Sequence, residues 1–485
     1  MKKTLSDFKA QFDPQHKHGP AEAVFKRDIR KGAARFIITA AQNATPLNDD
    51  FWAVLLQAAK TLNAELLVIP MRYKNPTSLW SASQRNDEYW DPKVRPYLWN
   101  QRVMLNKNLM LVGDIKIPPT KGNPLSGFDG LATSASAIFG HPKVQLRAVP
   151  TPADRMAKIL TTTGVCTKEN YTDSGLGKLS EFHHHLSAVV VELRGAGFNL
   201  RQLHYDSKTK SATDLDKRFY ADRTVKAPRA LALVMGDMHV GFIDPEVESA
   251  REDLVGLVNP EHRLWNDTLD SYSCTPHHEG NPFIQQQKQA SGVDDVRAEV
   301  NRAIEYIRSH SRSGVTDVLV PSNHDDMLSR WLKRTDWRHL SAANADFYLE
   351  TALAMRRGSK MRHNGVSYPD PFVYWVEKAG IKNLRALDRD ESFMLACVEL
   401  GMHGDKGPNG ARGSIQNLRR IGVKSIIGHS HSPGIDEGCY QTGTSTFLRL
   451  EYNHGASGWL NADVLLNADG KRQVIIYVDG KYRLQ

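Results

Sequence analysis

The sequence predicts an α/β protein of two domains, and three observations carry that expectation. In the N-terminal part, apolar runs of strand length alternate with a helical segment. A polar, charged stretch over 205–229, YDSKTKSATDLDKRFYADRTVKAPR, then shows no apolar periodicity to bury and is read as a linker. Strand-like runs restart at Ala230, and each leads into a cluster of Asp, Asn or His residues. At 485 residues the chain also exceeds the size at which one hydrophobic core stops growing. The expected division is a basic N-terminal segment (1–34), a separate α/β accessory domain (35–204), a linker (205–229) and a second, sheet-rich domain (230–485).

The elements follow in order. Arg35 to Ala40 is a short apolar run and reads as a buried strand. Thr45-Pro46 precedes the helical pattern from Phe51 to Leu56, with the proline near the first turn, where a missing N–H costs little. Glu65 to Pro70 is the next strand and completes a β-α-β unit. Leu109 to Ile117, Lys158 to Thr161 and Ala188 to Leu193 continue the alternation. Beyond the linker, strands are expected at Ala230 to Met235, Val318 to Val320, Phe393 to Leu400 and Ser425 to Ile427, with strand-like segments and turns from Thr446 to Tyr482.

Composition narrows the classes. Forty per cent apolar and 24% charged residues, without Gly or Pro excess or repeats, argue against a disordered chain or a solenoid. The four cysteines, Cys166, Cys274, Cys397 and Cys439, are scattered and form no CxxC pair, which suits a reducing cytoplasm. The N-terminus turns polar after two lysines and lacks the apolar core of a signal peptide, and no run is long and apolar enough to span a bilayer. Lys and Arg outnumber Asp and Glu by 63 to 54, with a pI near 9.2, which permits a polyanionic partner such as DNA.

Five clusters carry chemistry, and open α/β sheets place their sites at such strand ends. They are Gly236-Asp237-Met238-His239, Asn266-Asp267-Thr268-Leu269-Asp270, Ser322-Asn323-His324-Asp325, Gly401-Met402-His403-Gly404 and Gly428-His429-Ser430-His431. An Asp and a His two apart grip an ion with hard oxygen and borderline nitrogen donors. Singly, each cluster has an ordinary explanation, as a turn, a core histidine or two residues on one strand face.

Their order is informative. The series D-x-H, N-D-x-x-D, N-H-D, a glycine-flanked His and G-H-x-H resembles the calcineurin-like metallophosphoesterase superfamily, over Ala230 to the C-terminus. The resemblance implies a β-sandwich flanked by helices for this domain and a site for two divalent ions, Mn²⁺ first, with Fe, Zn²⁺ and Mg²⁺ as alternatives. It implies that Asp237, His239 and His431 hold one ion, that Asn323, His403 and His429 hold the other, and that Asp267 bridges them. His324 then protonates the leaving oxygen, with Asp270 holding its imidazole. Two positions depart from the family pattern, because Ser322 and Asn266 stand where glycines are usual; Asp253 competes with Asp267 for the bridging role. The second motif ends Asp270-Ser271, without the Arg by which protein Ser/Thr phosphatases clamp a phosphomonoester.

The NHD form of the third motif is more like the branch of DNA repair exonucleases and phosphodiesterases. Over its whole length the chain is also similar to phage-encoded nucleases of this type, including early DNA transfer proteins, which implies breakdown of host DNA in the host cytoplasm. Basic residues flank the motifs and are candidates to track a phosphate backbone: Arg330, Lys333 and Arg334; Arg356, Arg357, Lys360 and Arg362; Lys406, Arg412, Arg419 and Arg420. A solvated surface explains them equally well. Gln42-Asn43 and His183-His184-His185 invite a second site, but strand-end amides usually satisfy turns and a His run is usually surface; His277-His278 read as an ordinary loop. The N-terminal part has no Gly-rich fingerprint for a nucleotide. Three functions stay open: a metal-dependent DNase, a phosphodiesterase or phosphatase on a nucleotide or small ester, and a DNA-binding or assembly module with a vestigial metal site. A homo-oligomer and a protein partner for the N-terminal domain also remain open.

Overall fold

Alternation along single strands places the cores. In the strand Arg35–Gln42, Phe36, Ile38 and Ala40 enter one core, while Ile37 and Ala41 enter another on the opposite face. The strand is therefore buried on both sides, as its unbroken apolar run requires. The computed structural model describes residues 29–30, 32–73, 90–131, 135–152, 155–362, 365–367, 369–451 and 453–484. The expected basic segment over 1–34 lies almost wholly outside these residues, as do the side chains of Lys360 and Arg362.

Arg35–Gln42 pairs in parallel with Glu65–Met71 across the helix Asp49–Leu62, which is the expected β-α-β unit. Asn48 caps that helix by accepting from the Phe51 N–H, and Asn63 ends it in the left-handed conformation. Ser187–Arg194 and Gly197–Asp206 extend the sheet, and Ser211–Asp214, Lys217–Phe219 and Thr224–Lys226 complete its seven strands. The expected linker is thus three strands of this sheet. They escape an apolar periodicity because only isolated residues, Ala212 and Phe219, enter the core, and an ion pair adds to their anchoring: buried Arg201 reaches Asp214 at 2.7 Å and Glu192 at 2.9 Å.

A second sheet has six strands, in the spatial order Leu384–Ala386, Thr316–Leu319, His262–Trp265, Ala232–Val234, Ala462–Leu466 and Arg472–Ile476. The first four are mutually parallel; Ala462–Leu466 runs antiparallel to them, and Arg472–Ile476 runs antiparallel to Ala462–Leu466. The helices Pro245–Val258, Val296–His310, Ala342–Arg357 and Pro371–Lys378 cover one face through Leu254, Ile304, Phe347 and Phe372. From Thr446 onward, only the last two strands of this sheet form among the described residues.

The third sheet overturns the expectation of separate domains. Its ten strands draw on both halves of the chain, and the join is antiparallel pairing of Gln145–Val149 with Gly434–Asp436. One core lies where the three sheets meet, uniting Ile38 and Val191, Val234 and Val464, and Leu146, Ile426 and Ile435. The run Phe393 to Leu400 is not one strand but a tight hairpin, Met394–Leu395 and Val398–Glu399, turned at Ala396 and Cys397 with φ of 47° and 59°. Leu109–Val112 likewise stops short of Ile117. Among the described residues no helix is long and apolar enough to cross a membrane.

Candidate metal centre

Two sheets deliver the five motifs to one place. Asp237, Asp267 and Asn323 follow parallel strands of the six-stranded sheet, whereas His403 and His429 follow parallel strands of the ten-stranded sheet. His239, Asp267, His429 and His431 all have left-handed backbones, with φ of 46°, 44°, 75° and 58°. Such conformations cost of order 1–3 kcal/mol each in non-glycine residues and persist only where the surroundings enforce them. Gly428 has to be glycine for a different reason, since a Cβ there would lie 2.3 Å from Asp237 Oδ1.

The Asp237 turn is held from behind. The Gly236 N–H donates to Asp463 Oδ1 at 2.8 Å, and buried Arg251 donates to both oxygens of that carboxylate, each at 2.8 Å. Ser445 donates from its hydroxyl to the Gly236 carbonyl and from its N–H to the Asp237 carbonyl, each at 2.8 Å. The two departures from the family glycines have local uses as well. Ser322 Oγ accepts from the His324 and Asp325 N–H groups, and the Asn266 amide donates to the Met235 carbonyl at 3.2 Å.

The side chains converge in two overlapping groups. His431 Nε2 lies 3.2 Å from Asp237 Oδ2 and 3.0 Å from His239 Nε2, while His429 Nδ1 lies 2.9 Å from Asn323 Oδ1. Asp267 Oδ2 stands between the groups, 3.1 Å from His403 Nε2 and 3.7 Å from His239 Nε2. Asp237, His239, Asp267 and His431 together form a buried cluster able to hold a metal ion. The donor set fits such an ion: Asp237 Oδ1, Asp267 Oδ1, His403 Nδ1 and His431 Nδ1 are buried without a hydrogen-bond partner. Buried polar atoms left so call for an explanation, and a bound ion supplies one.

The electrostatics match. Burial disfavours a charged His239, but the Asp270 hydrogen bond and the charges of Asp267, Asp270 and Asp237 outweigh it and lift the imidazole to about 9. His403 is raised to about 9 against the same burial by Asp267, Asp237 and Asp405. Burial opposes ionisation of Asp267 too, yet His403, His324 and His239 hold its carboxyl well below the usual range.

Asp270 does hold the His324 imidazole, but through its main chain. Its carboxylate takes the His239 Nδ1 proton at 2.8 Å and stands 3.8 Å from His324 Nδ1, which bonds instead to the Asp270 main-chain carbonyl at 2.6 Å. The pattern at His239, one nitrogen on a carboxylate and the other in the cluster, is the usual orientation of a metal-binding imidazole. Asp253 is no competitor for the bridging position, because its carboxylate accepts from the Tyr482 hydroxyl at 2.5 Å and from Arg483 at 3.3 Å.

A cleft of about 900 Å³ opens over the cluster. Asp267, Asn323, His324, His429 and His431 line it, and His277, expected in an ordinary loop, reaches its wall. Of the flanking basic residues described, Arg412 lines the cleft, whereas Arg419 is engaged with Asp436 at 2.9 Å and Glu437 at 3.3 Å. Among the lining residues that went unseen in the sequence are Arg147 and Trp459; the first sits in an ordinary strand and the second in an irregular loop, and neither belongs to a motif. Gln42 and Asn43 do satisfy local groups, the Asn170 carbonyl and the Tyr73 N–H. The His183–His185 run is half-buried rather than surface, with the His184 ring between the Tyr171 hydroxyl and the Thr167 carbonyl.

Comparison with known proteins returns Protein A1 of Escherichia phage T5, 30% identical over 480 residues, covering 94% of this chain and 84% of that protein. The chain belongs to the Protein A1 family. The likeness to Protein A1 runs through both halves, in keeping with a ten-stranded sheet that neither half completes alone. No family model and no solved structure matches the chain.

Proposed function

We propose that the chain is a two-metal-dependent phosphodiesterase of the calcineurin-like metallophosphoesterase kind, and that its substrate is DNA. The observation that carries the reading is the meeting of unpartnered carboxylate oxygens and imidazole nitrogens from Asp237, Asp267, His403 and His431. Asp237, His239 and His431 hold one ion, and Asn323, His403 and His429 the other. Asp267 serves both, as its place between His239 and His403 supports. Nitrogen and oxygen donors without thiolate suit Mn²⁺, with Fe, Zn²⁺ or Mg²⁺ as alternatives. Divalent cations there supply Lewis-acid activation of the phosphoryl group and of the attacking water.

The chain's own residues do the rest. His324 lines the cleft, and its Nδ1 is fixed on the Asp270 carbonyl, which leaves Nε2 to carry a proton to the leaving oxygen. Arg412 in the lining and the net charge of +9 suit a polyanion such as DNA, and with a phage relative we take host DNA as the target. Incubation with plasmid and linear DNA in Mn²⁺ gives cleavage that EDTA and Asp237→Ala both abolish. Hydrolysis of bis-p-nitrophenyl phosphate without any cutting of nucleic acid would move the reading to a small phosphoester. DNA binding with no hydrolysis by either form would leave an assembly module.

A further inference from the structure

A site that needed only to grip a phosphate would have no use for an indole, yet Trp459 lines the cleft beside the cluster. Its ring centroid lies 4.1 Å from that of His431, at an interplanar angle of 69°. The loop that carries it is fastened on both sides. The Leu460 N–H donates to the His431 carbonyl at 3.1 Å, and the Trp459 N–H donates to Ser457 Oγ at 3.1 Å. Ser457 in turn exchanges two main-chain bonds with Thr151, at 2.9 and 3.0 Å, so the N-terminal half of the chain holds the loop in place. The same half supplies Arg147 to the wall of the cleft, with its guanidinium paired to Asp129 at 2.6 Å, while exposed Arg412 lines the cleft with no such pairing to a carboxylate among the described residues.

A half-buried indole fixed in place at a phosphodiester site, with the exposed Arg412 guanidinium in the same lining, matches the chemistry of a nucleotide: a flat π-face joined to an anionic phosphate. We infer that Trp459 is a base-stacking platform and that the cleft takes a single DNA strand, with an unpaired base on the indole next to the phosphodiester bound at the cluster. The base must be unpaired because a base in a duplex already has neighbours stacked on both faces. Stacking on an aromatic side chain tolerates any sequence, so the platform adds affinity without base selectivity. This inference rests on the proposed phosphodiesterase reading and narrows its substrate.

The test is equilibrium binding of the full-length protein in EDTA to a twelve-residue oligothymidylate and to an abasic strand of equal length, using wild type, Trp459→Ala and Trp459→Phe. Wild type should prefer the base-bearing strand by roughly 5- to 150-fold, the range expected for one stacked base. Trp459→Ala should bind both strands at the abasic level, and Trp459→Phe should recover most of the preference. A duplex of the same sequence should compete no better than the abasic strand. The platform is overturned if wild type does not distinguish the two strands, if Trp459→Ala keeps the preference, or if the duplex competes as well as the single strand. Adding Mn²⁺ separates the two ideas: base-dependent binding without cleavage sinks the nuclease reading alone, and cleavage with base-independent binding sinks the platform alone.

Discussion

Metal loading should be strongly coupled to protons. A ligating imidazole must be neutral, whereas His239 and His403 are both lifted to about 9 by the carboxylates around them. At pH 7 each therefore lies ~2 units below its pKa and is ~99% protonated before an ion arrives. In the proposed assignment the two residues serve different ions, so filling the pair of sites at pH 7 should release close to two protons. The apparent affinity for each ion should rise ~10-fold per pH unit between pH 7 and 9, ~100-fold in all, and level off above that. Titration calorimetry with Mn²⁺ in two buffers of different ionisation enthalpy counts the protons, and repeating it across pH gives the slope. His403→Ala should remove one proton from the count and leave the pH dependence of the other ion.

The same shifts set an opposite trend for the metal-free protein. Because both pKa values are raised above the ordinary 6.5, their contribution to stability is fully present below that pH and is lost as pH rises through about 9. Without metal, thermal stability should fall from pH 6.5 to 9, while the stabilisation gained on adding Mn²⁺ grows over that window. Release of fewer than one proton for the pair, or an affinity flat across pH 7 to 9, would refute the placement of these two imidazoles among the ligands.

Three further outcomes follow from the geometry. His324→Ala should retain metal and lose ~10²–10⁴-fold on DNA, whose leaving alkoxide needs a proton, but much less on a nitrophenyl ester; Asp270→Ala, which removes the carboxylate from His239, should lose roughly 10- to 100-fold on both substrates alike. Rates of both variants on both substrates check the pair, and equal losses for His324→Ala would remove its acid role. Gly428→Ala should fold, as circular dichroism would show, but bind metal poorly because the added methyl would sit 2.3 Å from Asp237 Oδ1; full metal content in that variant would mean that Asp237 Oδ1 is not needed.

How much of this was legible in the sequence depends on range. The strand before Asp267, His262–Trp265, carries a His and an Arg and gives no apolar run. The other four of the five motifs follow runs that read as strands in the sequence, so strand-end placement of Asp237, Asn323, His403 and His429 could be read locally. The role of Asp270 could not, since a carboxylate at 2.8 Å from His239 and a carbonyl at 2.6 Å from His324 belong to the same residue and only the folded geometry divides them. The strand Ser211–Asp214 looked like linker because a single apolar residue, Ala212, enters the core and Asp214 is held by a charge, Arg201. Arg147 and Trp459 carry no local signal at all, for their importance comes from lying across a cleft from motifs remote in sequence.

The corrected division of the chain also bears on how the site is held. The six-stranded sheet carries Asp237, Asp267 and Asn323, and the ten-stranded sheet carries His403 and His429, so the spacing between the two ligand sets is the spacing between two sheets. That spacing is fixed by the shared core, to which Leu146 and Ile159 from the N-terminal half contribute beside Ile426 and Val464. Without the N-terminal strands, Gly434–Asp436 would become an open edge three residues past His431, with unpaired main-chain groups and an exposed apolar face behind the ligands. Further links cross the same seam: His204 Nε2 lies 3.0 Å from the Tyr440 hydroxyl, and the Gln473 amide donates to the Gln202 carbonyl at 2.8 Å. Arg194 donates to the Val478 carbonyl at 2.8 Å, which ties the N-terminal sheet to the segment just beyond the last strand of the six-stranded sheet. The N-terminal half is therefore part of the structure that positions the metal-type residues, and the cluster depends on both halves although every motif lies in one.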